Sequence, residues 1–97
     1  MNDQKLENQL ILALNSTEEE RIRSGNLNIG YDPLNATWEV IIKYTGEIVN
    51  VRRIAEEVTQ LLGGFAILRI KESALELLTE IPEVTYVEKP KAFYFSL

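Results

Sequence analysis

Neither cysteine nor histidine occurs anywhere in the 97-residue chain. Their absence excludes a thiolate nucleophile, a disulfide, a Ser-His-Asp triad and an imidazole- or thiolate-held zinc within this chain. Basic residues are scarce as well. Ten Lys and Arg stand against fifteen Asp and Glu, a formal net charge of −5. The densest basic cluster is Arg52-Arg53, so a polyanion meets repulsion and nucleic acid is not an expected partner. Long hydrophobic runs are missing too. The N-terminal stretch has only Leu10 to Leu14 as an unbroken apolar run, far short of the roughly 20 residues that span a bilayer. No membrane partner is expected. The first residues carry acids and amides where an export signal needs a basic start.

What remains suits one small globular domain, with 45% hydrophobic and 26% charged residues, close to the average for folded chains. Leu6, Leu10 and Leu14 recur every four residues and predict an amphipathic helix over 3–14. Ser16 and Glu19 then fit a capping box for a second helix, with Arg21 and Arg23 near its end and Gly25 as its stop. Leu27, Ile29 and Tyr31 alternate, as do Trp38, Val40, Ile42 and Tyr44. With Asp32-Pro33 between them, the two runs predict a β-hairpin.

Asn50 can cap a helix that places Val51, Ile54, Ala55 and Val58 on one side and ends near Glu57. Gly63-Gly64, between two apolar segments, predicts a two-residue hairpin turn. Ser73 and Glu76 form another candidate capping box for a helix with Leu75, Leu78 and Ile81 inward and Pro82 just beyond. Val84 to Glu88 reads as a last strand with Val84, Tyr86 and Glu88 on one face. From Trp38 onward the order is β-α-β-β-α-β, the order of an α+β, ferredoxin-like sandwich: an antiparallel sheet with two helices on one face. The expected organisation is an N-terminal helical extension over 1–26, a core over 27–91 and an extended tail over 92–97.

Chemistry is thinly signalled. In Glu18-Glu19-Glu20 and Glu56-Glu57, neighbouring acids on a helix point about 100° apart and cannot clasp one substrate. They read as solvated helix faces. Gly63-Gly64 has no Lys, Ser or Thr in phosphate-loop register and precedes a strand. The stretch "GGFAILRI" superficially matches an RNA-recognition octamer at Gly64, Phe65 and Ala66. It lacks the leading cation, and Ile67 and Ile70 replace the stacking aromatics. Catalytic residues, a metal site and a cofactor are therefore not expected. The odd feature is the mostly apolar ending Ala92-Phe93-Tyr94-Phe95-Ser96-Leu97. It is either a last strand of its own core or a segment made to sit in something else.

The ordered set "WEVIIKY", "VTQLLGGFAILRI", "SALELLTEIPEV" and above all Val84-Thr85-Tyr86-Val87-Glu88 resembles the N-terminal prodomain of bacterial subtilisin-like serine proteases. The leader is similar to that of a branch without an obvious signal peptide, and the likeness covers nearly the whole chain. The resemblance implies a folding chaperone and autoinhibitor, not an enzyme in itself. Its partner would be a subtilisin-like catalytic domain, in cis and also in trans. Tyr86 and Glu88 would dock against the positive ends of two protease helices. Lys91, Ala92, Phe93, Tyr94, Phe95, Ser96 and Leu97 would run through the substrate groove. Lys89-Pro90 depart from the pattern, because better-known secreted members often carry a second acid there. On this reading the protein belongs to the bacterial cytoplasm or spore rather than the Sec-exported set. The alternative from a different class is a free-standing regulatory domain that forms a homodimer through its sheet.

Overall fold

The computed structural model describes residues 3–17, 19 and 30–89. A 3-10 turn, Asp3–Lys5, precedes helix α1, Asn8–Asn15. After the short strand β1, Tyr31–Asp32, come β2, Thr37–Tyr44, and helix α2, Val49–Ile54. Strands β3, Glu57–Leu61, and β4, Phe65–Lys71, form a hairpin. A 3-10 turn, Glu72–Ala74, then runs into helix α3, Leu75–Glu80, and β5, Val84–Glu88, completes the sheet. The fold is α+β: an antiparallel sheet with short helices.

β2 is the hub of the sheet. On one edge it pairs with β4 from Thr37 through Lys43. Its other edge is shared by β1 at Thr37 and Trp38 and by β5 from Ile41 to Tyr44. β3 lies outside β4, so the four longer strands run β5-β2-β4-β3. Trp38, Val40 and Ile42 of β2 and Ala66, Leu68 and Ile70 of β4 face the helices and are buried with Val84 and Val87. Leu6, Leu10 and Ala13, Ile48 and Val51, and Leu75 and Leu78 pack onto them from the helical side. Removing such side chains from water stabilises the fold by about 1.5–3 kcal/mol each for the larger ones. Trp38 also stacks against Tyr31, its cross-strand partner, with ring centroids 4.8 Å apart.

Local signals were overridden at several points. The helix expected over 3–14 breaks at Leu6-Glu7, because β5 has a free outer edge. Leu6 forms a parallel bridge to Val87, and the Glu7 N–H donates to the Val87 carbonyl at 2.9 Å. Ser16 ends α1, its hydroxyl donating to the Leu12 carbonyl at 2.6 Å. The helix expected from there to Gly25, with Arg21 and Arg23, lies outside the described residues except for Glu19, as do Leu27 and Ile29.

The N-cap of α2 is the buried Ile48, not Asn50, and no side chain caps it. This helix stops at Ile54 rather than near Glu57, since the Glu56 N–H already donates to the Arg69 carbonyl at 2.7 Å and draws the chain into the sheet. Leu61 pairs with Phe65, so the turn between them has three residues, Leu62-Gly63-Gly64, not two. The N-cap of α3 is Ala74, again without a side-chain bond, and Ser73 sits inside the preceding 3-10 turn. In each case burial of the apolar face, and not a cap, sets the helix start.

Candidate docking surface

The three described helices contribute to the core on one side of the sheet, and the other side is the candidate surface for a partner. Side chains alternate along a strand, so the residues opposite the core face follow from the register. β2 sends out Glu39, Ile41 and Lys43, while β4 sends out Phe65, Ile67 and Arg69. β3 adds Glu57, Thr59 and Leu61.

β5 reaches this face through a bulge. Lys43 pairs with Tyr86 but Tyr44 pairs with Val84, leaving Thr85 as the extra residue. The extra residue puts Val84 and Val87, three positions apart, on the core side together. The expectation that Val84 shares a face with Tyr86 and Glu88 is therefore corrected: Tyr86 and Glu88 stay outward and Val84 turns in.

Three cross-strand rows result. The first runs Tyr86, Lys43, Phe65, Leu61. Lys43 Nζ lies 5.9 Å from the Phe65 ring centre, a cation–π approach. The second row is Glu88, Ile41, Ile67, Thr59. The third is charged: Arg69 bonds Glu57 at 3.2 Å and reaches Glu39 at 4.0 Å. One end of the face is thus mostly apolar and the other an exposed ion-pair ladder, which contributes little stability.

Ile41 is only 5% exposed although it points away from the described helices. It forms the floor of a depression of about 230 Å³ walled by Leu61, Leu62, Phe65 and Glu88. A second depression, of about 370 Å³, lies at the charged end, lined by Gly30, Tyr31, Asp32, Thr37, Glu39 and Arg69. There Asp32 accepts bonds from the Asn35 amide at 2.7 Å and the Leu34 N–H at 3.0 Å. The Asn35 bond above all holds its carboxyl below the ordinary value. Asp32 is therefore committed to its own turn.

Partial burial, helped by the negative charges of Glu7 and Glu88, raises the pKa of the Tyr86 phenol above its ordinary value. Lys89, the residue after β5, is buried. That burial lowers its pKa while the charge of Glu7 pulls the other way. Among the described residues no three His, Cys, Asp or Glu side chains gather as metal ligands, and no helix is long and apolar enough to cross a membrane.

Of the residues singled out from sequence, Tyr86 and Glu88 share the open face, while Lys91 to Leu97 lie outside the described residues. Sequence reasoning missed Ile41, Lys43, Leu61 and Leu62 as part of that face. The signal was present: Ile41 is an apolar residue between Glu39 and Lys43 at the outward positions of β2.

The model of the Csp protease B prodomain family matches residues 4–91. Among solved structures, the chain is similar to the Clostridium perfringens CspB protease. The TM-score is 0.52 at 29% identity, covering 80% of this chain and 87% of that one. No curated protein matches.

Proposed function

The chain belongs to the Csp protease B prodomain family, and is thus the non-catalytic prodomain of a subtilisin-like protease; from this premise we propose that it templates the folding of its catalytic domain and then inhibits it by occupying the substrate groove. One observation carries the reading. Tyr86 and Glu88 lie on the face of β5 opposite the described core, and the chain of that strand continues through Lys89 towards the apolar tail. The face docks on protease helices, with the Glu88 carboxylate accepting bonds from helix N-terminal amides and meeting the positive end of the dipole. Tyr86 adds apolar area and a phenolic donor. Lys91 to Leu97 run extended along the groove, paired through their backbone, with Phe93, Tyr94, Phe95 and Leu97 as anchors.

The same reading treats the chain as a ferredoxin-like βαββαβ core over 27–91, a helical extension over 1–26 and a tail over 92–97. The strand order β5-β2-β4-β3 and the placement of both crossover helices on one face support that topology. Inhibition needs no chemistry from this chain, since a bound segment that dissociates slowly blocks the groove by occupancy.

The test is inhibition of the isolated catalytic domain by three forms of this chain. Deleting Ala92 to Leu97 removes most of the inhibition, and Glu88→Ala weakens docking by about 1–3 kcal/mol, the loss of a charge-assisted bond. Parent-like inhibition by both variants would refute the docking mode.

A further inference from the structure

The last strand runs out of its inner mate at the point where the tail is approached. β5 pairs with β2 as far as Glu88, opposite Ile41. Past Ile41 that edge of β2 is already taken. The Glu39 N–H donates to the Gly30 carbonyl at 2.7 Å, and Trp38 and Thr37 pair with β1. What grips the end of β5 comes from the leader, on the opposite edge. Leu6 bridges Val87, and the Glu7 N–H donates to the Val87 carbonyl at 2.9 Å. The leader is itself fixed on both sides of this contact. Lys5 Nζ donates to the Ile81 carbonyl at 3.0 Å, and the Glu7 carbonyl accepts the Ile11 N–H at 3.0 Å in the first turn of α1. Leu6 and Val87 are both buried, and so is Lys89 two residues further on.

We propose that Leu6 and Glu7 aim the tail: by holding the end of β5 from its outer edge they set the direction in which the chain leaves for the substrate groove, which makes the Glu7 N–H a positioning group for inhibition. The inference rests on the groove reading above and adds the element that points the inhibiting segment. Two physical points favour it. A segment whose root is fixed in advance loses less freedom on entering a groove, so the same side chains bind more tightly. Little slack separates the clip from the tail as well. Lys89 stands before Pro90, and a residue before proline is biased to extended backbone while the proline ring fixes its own φ. The Lys89-Pro90 pair, a departure from the family pattern, thereby gains a role as a stiff joint.

Glu7 offers a clean way to open the clip. It is the N-cap of α1, with φ −61° and ψ 144°, values that proline adopts without strain. The residue before it, Leu6, lies in a β-bridge and already has the extended path that a following proline asks for. Glu7→Pro therefore removes the N–H and sets a ring carbon against the Val87 carbonyl, while the leader keeps its course. Glu7→Ala removes the same carboxylate and keeps the N–H, so the difference between the two variants isolates the bond.

The experiment measures inhibition constants of the full prodomain chain against the separate catalytic domain. The forms compared are the parent, Glu7→Ala, Glu7→Pro, a chain ending at Tyr94, and that shortened chain carrying Glu7→Pro. Thermal melting establishes that each is folded at the assay temperature. Leu6→Ala, in both chain lengths, loosens the same contact without a proline and is held to the same outcomes. Glu7→Pro is expected to inhibit at least about fivefold more weakly than Glu7→Ala, the size of one bond lost with its acceptor left unpaired. Shortening the tail is expected to cost less in the Glu7→Pro chain than in the parent, because a misaimed tail has less binding to lose. If Glu7→Pro and Glu7→Ala inhibit alike, the N–H aims nothing, and the positioning role is overturned while the groove reading stands. If the losses from Glu7→Pro and from shortening multiply, the clip acts through the fold and not through the tail, which overturns the proposal as well. Should the parent fail to inhibit, or shortening leave its inhibition unchanged, the groove reading falls and takes this one with it.

Discussion

A methyl group added at Gly64 would lie 3.0 Å from the Tyr44 carbonyl oxygen, on a backbone whose φ is +82°. The neighbouring Gly63 has a similar φ, but its added carbon would meet only the Phe65 ring at 3.6 Å, an ordinary contact. Gly64→Ala therefore combines left-handed strain with a clash against backbone, while Gly63→Ala carries the strain alone. The expected destabilisation for Gly64→Ala is about 1–3 kcal/mol, and smaller for Gly63→Ala, read from paired thermal melts.

Asp32 makes a pH-dependent contribution whose sign is fixed by its bonds. Its folded pKa lies below the ordinary 3.8, chiefly through the Asn35 amide. The carboxylate therefore stabilises the β1–β2 turn above that ordinary value, and the contribution is lost as pH falls through the depressed one. In melts between pH 6 and pH 2, Asp32→Asn is expected to show a flatter acid limb than the parent. Identical limbs would mean the turn gains nothing from the charge.

At the scale of elements, α1 is integral to the core rather than an appendage. Leu10 is fully buried, Leu12 is 59% exposed, and in the 3-10 turn before the helix Lys5 Nζ donates to the Ile81 carbonyl at 3.0 Å. Leu10→Ala is expected to cost about 2–5 kcal/mol, while Leu12→Ala stays within about 0.5 kcal/mol. Equal effects in chemical denaturation would contradict the packing.

Periodicity made this much readable from sequence, because Leu6, Leu10 and Leu14 and the even positions of β2 each repeat at the period their element imposes. The misses share one cause: tertiary contacts settled what local chemistry left open. Asn50 and Ser73 are good capping residues, yet the helices begin where Ile48 and Leu75 can be buried. Val58 fits a helical stripe but packs from a strand. The bulge at Thr85 leaves no trace in an alternating pattern, and that single residue turns Val84 to the core side while Tyr86 and Glu88 stay outward. Tyr86 and Glu88 were found through a family motif and not through spacing, because a lone Tyr and Glu on a strand carry no pattern of their own.

For the molecule as a whole, the sheet divides the work. One side holds the fold together through the described helices, and the described core ends in sequence at Val87. The other side, with its apolar and charged ends, is the one the proposed docking uses. Deleting Ala92 to Leu97 is accordingly expected to leave the melting temperature near the parent value while inhibition collapses, so that binding and stability separate in one variant. The leader's bond to the last strand has a further consequence, which lies in time. Leu6 meets Val87, so two segments near opposite ends of the described chain must find each other before the sheet edge is closed. Residues leave a ribosome at roughly 5–20 per second, and so Leu6 and Glu7 wait several seconds for the strand they bond. Pairings so distant in sequence also form late and slowly. During synthesis, the strand that carries Tyr86 and Glu88 is thus expected to be the last secured, its outer edge closing only when segments near the two ends of the described chain have met.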